Sequence, residues 1–253
     1  TFSSNILGTA NVLLSAGSLN KKVSILNITS DKVYKNSENL KPFDEDSELG
    51  GLDPYSCSKS CAELISQSIF NTYVYKLKTS KVSIVNLRAG NVIGGGDFGE
   101  DRIIPDIHRM VKSDTRLQVR MPNAIRPWQH VLDCLSGYLY ALKYIESSEK
   151  CISVNFNVGP QDFEKFTVLN ICKHAEKWFP SLKYDLNTEA VAESKVLLLN
   201  SSLLTELTGW MPLYNTHQAV ETTFKWYYNY QNGNKINDLM DKDIIDYFEK
   251  ILE

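Results

Sequence analysis

Apolar positions follow two alternating rhythms along this chain. In "SSNILGTANVLLSAG" (3–17), Ile6, Ala10, Leu13 and Leu14 recur at helical spacing, and Gly17 marks the stop. "KVSILNI" (22–28) is a short β-branched run that predicts a buried strand. The next stretch, 30–53, is polar and acidic with no period, and loops of that length are usually functional or disordered. Asp53-Pro54 then reads as the N-cap and first position of a helix that runs to about 78, with Cys61, Ile65 and Ile69 in step. "KVSIVNLRAGNVI" (81–93) predicts another buried strand, leading into a glycine loop. A helix over 101–113, a strand over 116–121, a helix over 131–145, a strand over 151–158 and a helix over 167–179 follow. The tail predicts a strand around 195–199, a helix around 216–230 and a last helix over 236–252 that reads as an appendage. Strands alternating with helices make this an α/β chain built on a parallel sheet.

Composition narrows the partners. The 253 residues suffice for one large domain or two small ones with a real core. A net charge of −3 gives no footprint for nucleic acid or for a polybasic membrane surface. No apolar run reaches membrane-spanning length. Cys57, Cys61, Cys134, Cys151 and Cys172 are odd in number and form no CxxC pair, the usage of a reduced, cytoplasmic protein. The four histidines have no ligand spacing with cysteines or carboxylates, so no metal is expected.

Candidate chemistry gathers between Ser30 and Lys59. Ser30, Asp31 and Lys32 follow a predicted strand directly, at the carboxyl end where open α/β sheets bind ligands. Tyr55 and Lys59 lie four apart near a helix start, on one face. A tyrosine acting as a base near neutrality needs its pKa lowered by ~3 units. A neighbouring ammonium and a helix N-terminus both push in that direction, so Lys59 is expected to lower Tyr55. On its own a Tyr-x-x-x-Lys pair is a weak signal, because any long helix carries one by chance. "GGGDFG" (94–99) spells the dinucleotide fingerprint G-x-G-x-x-G. Asp97, Glu100 and Asp101 crowd it with negative charge, so it reads as a place where the backbone bends and not as a phosphate cradle. Arg126, in "NAIRPWQHV", carries a guanidinium fork suited to a diphosphate.

Strand, Ser30, long loop and Tyr55-x-x-x-Lys59, preceded by "NILGTANVLLSA", together resemble the extended short-chain dehydrogenase/reductase family. "SDKVY" (30–34) is similar to its sugar-nucleotide 4,6-dehydratases. Epimerases of the family have small, inert residues after the serine, dTDP-glucose dehydratases have Asp-Glu, and Asp31-Lys32 resembles the CDP-glucose branch. "NLRAGNVIGGGDFGEDRIIPD", "IRPWQHVLDCLSGYL" and "ESKVLLLNSSLLTELTGWMPLYNTHQAVETTFKWY" are similar to later segments of that branch, so the resemblance covers nearly the whole chain. Asn200, where Asp is usual, and Phe98, where Trp is common, depart from it at positions that carry no chemistry.

The resemblance implies a Rossmann-like parallel sheet, its N-terminal strands missing, with a smaller C-terminal α/β substrate domain. Residues 1–88 would be the truncated NAD-binding part, with 124–158 returning to it. Residues 89–123 and 159–253 would bind the sugar nucleotide. The family's glycine-rich turn would precede Thr1, so this piece alone is not expected to hold NAD tightly. Tyr55 and Lys59 are implied as cofactor-binding and catalytic, with Ser30 holding the sugar 4-oxygen, Asp31 the acid at C6 and Lys32 at the base position. Lys32 would act directly, through a water, or by setting the local field. Asn91 and Arg126 are implied for the diphosphate, Glu193 for the nucleotide ribose and Arg102 for the nucleotide pocket, while His130 braces a strand. The full-length protein is expected to be a homo-oligomer, a dimer or tetramer. Two alternatives stay open: a sugar-nucleotide 4-epimerase or decarboxylase on the same scaffold, and a non-catalytic remnant that lost its cofactor half.

Overall fold

The computed structural model describes residues 1–36, 40–162, 165–187 and 194–252. The chain divides into two compact units. The first comprises Thr1–Gly90, Leu135–Gly159 and Leu199–Met211, and the second Asn91–Cys134, Pro160–Leu198 and Pro212–Glu253. Residues 124–134 thus lie in the second unit and 199–211 in the first.

The first unit is built on three parallel strands in the order β1 (Val23–Ile28), β2 (Val82–Ala89), β6 (Ser153–Val158). All eight residues of β2 are buried, as a central strand covered on both faces requires. An asparagine on each strand falls at the same level, because Asn27 pairs with Asn86 and Asn86 with Asn155. Asn27 Nδ2 donates to Asn86 Oδ1 at 2.8 Å, and Asn86 Nδ2 donates to Asn155 Oδ1 at 2.7 Å. Ser66 Oγ, from helix α2 (Pro54–Ile69), donates to the same Asn86 oxygen at 3.0 Å. A one-residue slip of any strand would turn its amide to the opposite face, so the ladder fixes the register and docks the helix. Helix α1 (Gly8–Gly17) buries Leu13 with Val82 and Ile84, while Leu14, expected on the same stripe, is exposed.

Helix α2 starts as its sequence dictates. Asp53 accepts from the backbone N–H of Tyr55 at 2.9 Å and of Ser56 at 3.0 Å, and Pro54 occupies the first turn. Its last turns widen into a π-helical segment, Phe70–Lys76, and the chain leaves at Lys78 with φ 55°. The helix therefore ends close to the expected position.

The second unit holds two small parallel pairs, β3 (Asn91–Ile93) with β5 (Trp128–His130), and β4 (Arg116–Arg120) with β7 (Lys183–Asn187). In β4 Leu117 and Val119 point inward while Arg116, Gln118 and Arg120 stay exposed, a clean two-residue alternation. Helices α3 (Ile103–Ser113), α5 (Val168–Trp178), α7 (Thr216–Gln231) and α8 (Ile236–Leu252) complete it. Its core joins Ile107, Val119, Phe166, Ile171, Phe224 and Trp226. Leu239 and Tyr247 of α8 belong to that same core, so the last helix is integral and not an appendage.

Three further expectations change. The run 81–93 is two strands, broken at Gly90. The apolar segment 195–199 forms single bridges, Val196 to Ile125 and Leu199 to Phe43, and no strand. The strand β7 escapes the apolar pattern because its residues are exposed or half-buried. Among the described residues no helix is long and apolar enough to cross a membrane.

The ladder yields a stability prediction. Asn86→Leu removes one buried and two partly buried hydrogen bonds and leaves two partner amides and the Ser66 hydroxyl without them, and should cost about 2–4 kcal/mol in urea unfolding. A loss below ~0.5 kcal/mol would show that the ladder does not fix this sheet.

Candidate active site

The carboxyl end of β1 runs into Thr29 and Ser30, and Ser30 caps a single 3₁₀ turn, Asp31–Val33. Ser30 is extended, with φ −162° and ψ 157°, and its hydroxyl accepts from Lys32 N–H at 3.2 Å. The same hydroxyl donates to Asp31 Oδ1 at 2.9 Å. Ser30 and Asp31 are buried, whereas Lys32 is exposed. The turn thus presents the three consecutive side chains differently: a buried hydroxyl, a buried carboxyl and a solvated ammonium.

Tyr55 and Lys59 face this turn from the first two turns of α2. Tyr55 is 43% exposed and hydrogen-bonds the Ser30 side chain. Its hydroxyl stands above the ordinary tyrosine pKa, not below it as expected. Burial is the largest cause, the bond with Ser30 works the other way, and the carboxylates of Asp31 and Asp53 add to the rise. Lys59 does not reverse this, because its Nζ donates to the Ile28 carbonyl at 3.0 Å. Burial holds the Lys59 amine below its usual value. Asp53 itself stays low: burial would raise it, but hydrogen bonds from the Ser56 side chain and from the Ser56 and Tyr55 backbone outweigh that. The N-cap that starts the helix is therefore also an anion beside the tyrosine, a double role that its cap signature does not announce.

These five predicted residues are brought together within the first unit. Tyr55 and Lys59 at the carboxyl end of a central parallel sheet offer a phenol and an ammonium, a donor set that fits ribose hydroxyls and the nicotinamide end of a dinucleotide. The glycine loop does not fit the phosphate end. A Cβ on Gly95 would lie 2.2 Å from the Trp226 ring, so this glycine serves a close packing contact. Asp97 Oδ1 accepts from Gly99 N–H at 2.9 Å, and Arg109 donates to the Phe98 and Gly99 carbonyls at 2.9 and 3.0 Å. The loop is thus committed to protein contacts.

The predicted nucleotide contacts lie in the second unit. Arg126 is buried, and its guanidinium donates to the Ile125 carbonyl at 2.9 Å and the Lys195 carbonyl at 3.4 Å. The β3–β5 pairing sets Asn91 against Trp128, two residues after Arg126. Arg102 is exposed and bridges Asp97 at 2.8 Å. Glu193 lies outside the described residues. His130 is buried, accepts from Leu132 N–H at 3.3 Å, and is pushed down to about 4 by burial, so it is neutral and braces the strand end. Among the described residues no group of three or more His, Cys, Asp or Glu side chains has the arrangement to hold a metal ion.

Sequence reasoning missed Glu63 and Arg88, a fully buried ion pair at 2.6 Å in the first unit. A signal existed: Arg88 is the one charged residue in the strand Val82–Ala89, and Glu63 stands one turn after Lys59 on the same helix.

Comparison with known proteins now places the chain. The NAD dependent epimerase/dehydratase family matches residues 1–159. CDP-glucose 4,6-dehydratase of Salmonella typhimurium is 34% identical over 251 residues, which cover 98% of this chain and 70% of the relative. The dTDP-D-glucose 4,6-dehydratase of Homo sapiens is 24% identical over 247 residues, 91% of this chain and 65% of that protein. Among solved structures, UDP-glucuronic acid 4-epimerase from Bacillus cereus, in complex with UDP-glucuronic acid and NAD, has a TM-score of 0.76 at 20% identity, covering 90% of this chain and 68% of that one. The dTDP-glucose 4,6-dehydratase from Bacillus anthracis in complex with NAD has a TM-score of 0.75 at 19% identity, covering 92% and 70%. These likenesses show the Rossmann-like α/β fold.

The electrostatics around Tyr55 predict the effect of one substitution. Asp53→Asn keeps a good N-cap but removes an anion beside the phenol, so the Tyr55 pKa should fall. Stability should drop by about 1 kcal/mol or less. Tyrosine-labelled NMR titration, with Tyr55→Phe to assign the signal, reads the change. An unchanged or higher Tyr55 pKa would mean that the Asp53 charge does not act there.

Proposed function

The chain belongs to the NAD dependent epimerase/dehydratase family, and on that footing we propose that it removes water from a nucleotide-activated glucose, CDP-glucose before dTDP- or UDP-glucose. The product is the 4-keto-6-deoxy sugar nucleotide. One observation carries this reading: Asp31 is buried and accepts from Ser30, whose side chain also hydrogen-bonds Tyr55. A 4-epimerase breaks no bond at C6 and has no use for an acid there. The 34% identity to a CDP-glucose 4,6-dehydratase supports the choice of nucleotide.

Bound NAD supplies a hydride acceptor that gives the hydride back within the same cycle. Tyr55 takes the proton of the sugar 4-hydroxyl, and Ser30 hydrogen-bonds the same oxygen. Lys59, whose Nζ bonds the Ile28 carbonyl, would hold the cofactor ribose and bring positive charge toward the phenolate. With C4 a ketone, the C5 proton becomes acidic. Asp31 donates its proton to the C6 hydroxyl, which leaves as water as the C5–H electrons form the C5–C6 double bond. Burial is the setting in which a carboxyl acts as an acid. The C5 proton goes to a base at the Lys32 position, and the exposure of Lys32 favours transfer through a water; return of the hydride to C6 and of a proton to C5 then saturates the double bond and gives the 4-keto-6-deoxy product. Asn91 and Arg126 take the diphosphate, Glu193 the nucleotide ribose and Arg102 the rim of the nucleotide pocket. The first unit is the cofactor part and the second the substrate part of this division of labour.

Two substitutions in the complete protein test the roles. Tyr55→Phe should slow the first oxidation at least ~100-fold, and near wild-type turnover would remove Tyr55 as the base. Asp31→Asn should leave oxidation at C4 intact and slow product formation by ~100- to 10,000-fold, so that the 4-keto hexose nucleotide builds up under mass spectrometry. Product at the full rate would make Asp31 structural. Loss of the 4-keto species in a folded variant would move Asp31 to oxidation or binding.

A further inference from the structure

Arg88 and Glu63 lie away from solvent, 1% and 2% exposed, in a network that touches both ends of the Ser30–Val33 segment. Arg88 Nε donates to both Glu63 oxygens at 3.0 Å, and a terminal nitrogen donates to Oε2 at 2.6 Å. On the near side, Thr29 Oγ1 donates to Glu63 Oε1 at 2.5 Å and to the Leu87 carbonyl at 3.2 Å. On the far side, the second terminal nitrogen of Arg88 donates to Tyr34 Oη at 2.8 Å, with Arg88 stacked 4.9 Å over that ring. Tyr34 Oη in turn donates to Asn157 Oδ1 at 2.6 Å, and its ring stacks on Phe43 at 4.7 Å. Ser60 Oγ, from α2, donates to the Val33 carbonyl at 2.8 Å. One guanidinium–carboxylate pair therefore grips the residue before Ser30 and the residue after Val33. Its carboxylate stands on α2 one turn beyond Lys59 and two turns beyond Tyr55.

A buried ion pair is weak evidence for stability, because well-packed apolar residues hold a core as well or better. What it adds is direction: bidentate geometry fixes two groups in angle as well as distance. We propose that the Arg88–Glu63 pair, acting through Thr29 and Tyr34, is a positioning device that sets Ser30 and Asp31 against the helix carrying Tyr55 and Lys59. The inference rests on the reading of Ser30, Asp31 and Tyr55 as the reacting residues. None of the four positioning residues touches the sugar in this account. Their effect passes through the placement of Ser30 and Asp31, and misplacement by about 1 Å costs ~100-fold in rate.

The test uses Thr29→Val, which keeps the shape and removes the hydroxyl, Thr29→Ser, which restores it, and Tyr34→Phe, which keeps the stacked ring. In the complete protein with NAD and CDP-glucose, Thr29→Val and Tyr34→Phe should each lower kcat ~10- to 100-fold with KM changed less than about twofold, and Thr29→Ser should recover most of the rate. Amide hydrogen exchange gives a second readout that needs no turnover. Lys32 and Val33, whose N–H groups bond Ser30 at 3.2 Å each, should exchange at least ~10-fold faster in both damaging variants, while β2 stays protected. Wild-type kcat together with unchanged exchange in Thr29→Val and Tyr34→Phe would overturn the proposal. A wild-type protein that makes no 4-keto-6-deoxy sugar would instead refute the proposed function, and the exchange pattern alone would then decide whether the pair clamps this segment.

Discussion

Burying Arg88 is the constraint from which the first unit is organised. A guanidinium taken out of water costs several kcal/mol unless its donors are satisfied, so each partner must be where it is. Burial would lower the Arg88 pKa, but Glu63 and Tyr34 more than offset it and keep the group charged. Those partners come from different stretches of chain: Glu63 from α2, Tyr34 from the turn after β1, and the Glu45 carbonyl, at 3.0 Å, from the acidic loop. Asn157 then ties β6 to the same loop, its N–H donating to Glu45 Oε1 at 2.8 Å and its side chain to the Phe43 carbonyl at 3.0 Å. The described part of this loop is tied by polar bonds around Arg88 and Asn157 and by apolar packing of Phe43 and Leu49 against Val33, Tyr34 and Leu199.

The electrostatics of the turn hold Tyr55 in its neutral form. Tyr55 is raised first by burial and then by two carboxylates, and Lys59 is turned to a backbone carbonyl. In the proposed reaction the phenol must lose its proton, so positive charge from what binds beside it has to offset both burial and Asp31. The proposed pairing of activation with binding follows from that charge balance.

Local signals carried far in the sequence. The strands over 22–28 and 151–158, the Asp53-Pro54 helix start and the alternation of Arg116–Arg120 all appear where periodicity and capping put them, although β1 is half-buried with Ile28 exposed and not the buried strand its apolar run predicts. The cluster at Ser30, Asp31, Lys32, Tyr55 and Lys59 was legible because its parts sit at a strand end and a helix start. The failures share a cause, which is contact between residues distant in sequence. Glu63 and Arg88 are 25 positions apart, and the Tyr55 shift is set first by burial, with Asp31, 24 positions away, adding to it. The apolar run 195–199 looked like a strand, and Leu197, Leu198 and Leu199 are buried, yet its backbone makes only single bridges, since apolar side chains report burial and not how the backbone pairs. In β7 the reverse holds: pairing with β4 makes a strand from residues with no apolar run.

The central claim is that a buried acid beside the Ser–Tyr pair makes this chain a dehydratase of nucleotide glucose. The most direct measurement incubates the complete protein with NAD and, separately, CDP-glucose, dTDP-glucose and UDP-glucose, and follows loss of water by mass spectrometry. The account predicts a 4-keto-6-deoxy sugar nucleotide from CDP-glucose, with kcat/KM at least ~10-fold above the other two. Conversion to the 4-epimer without loss of water, or no change in any of the three sugars, would contradict it.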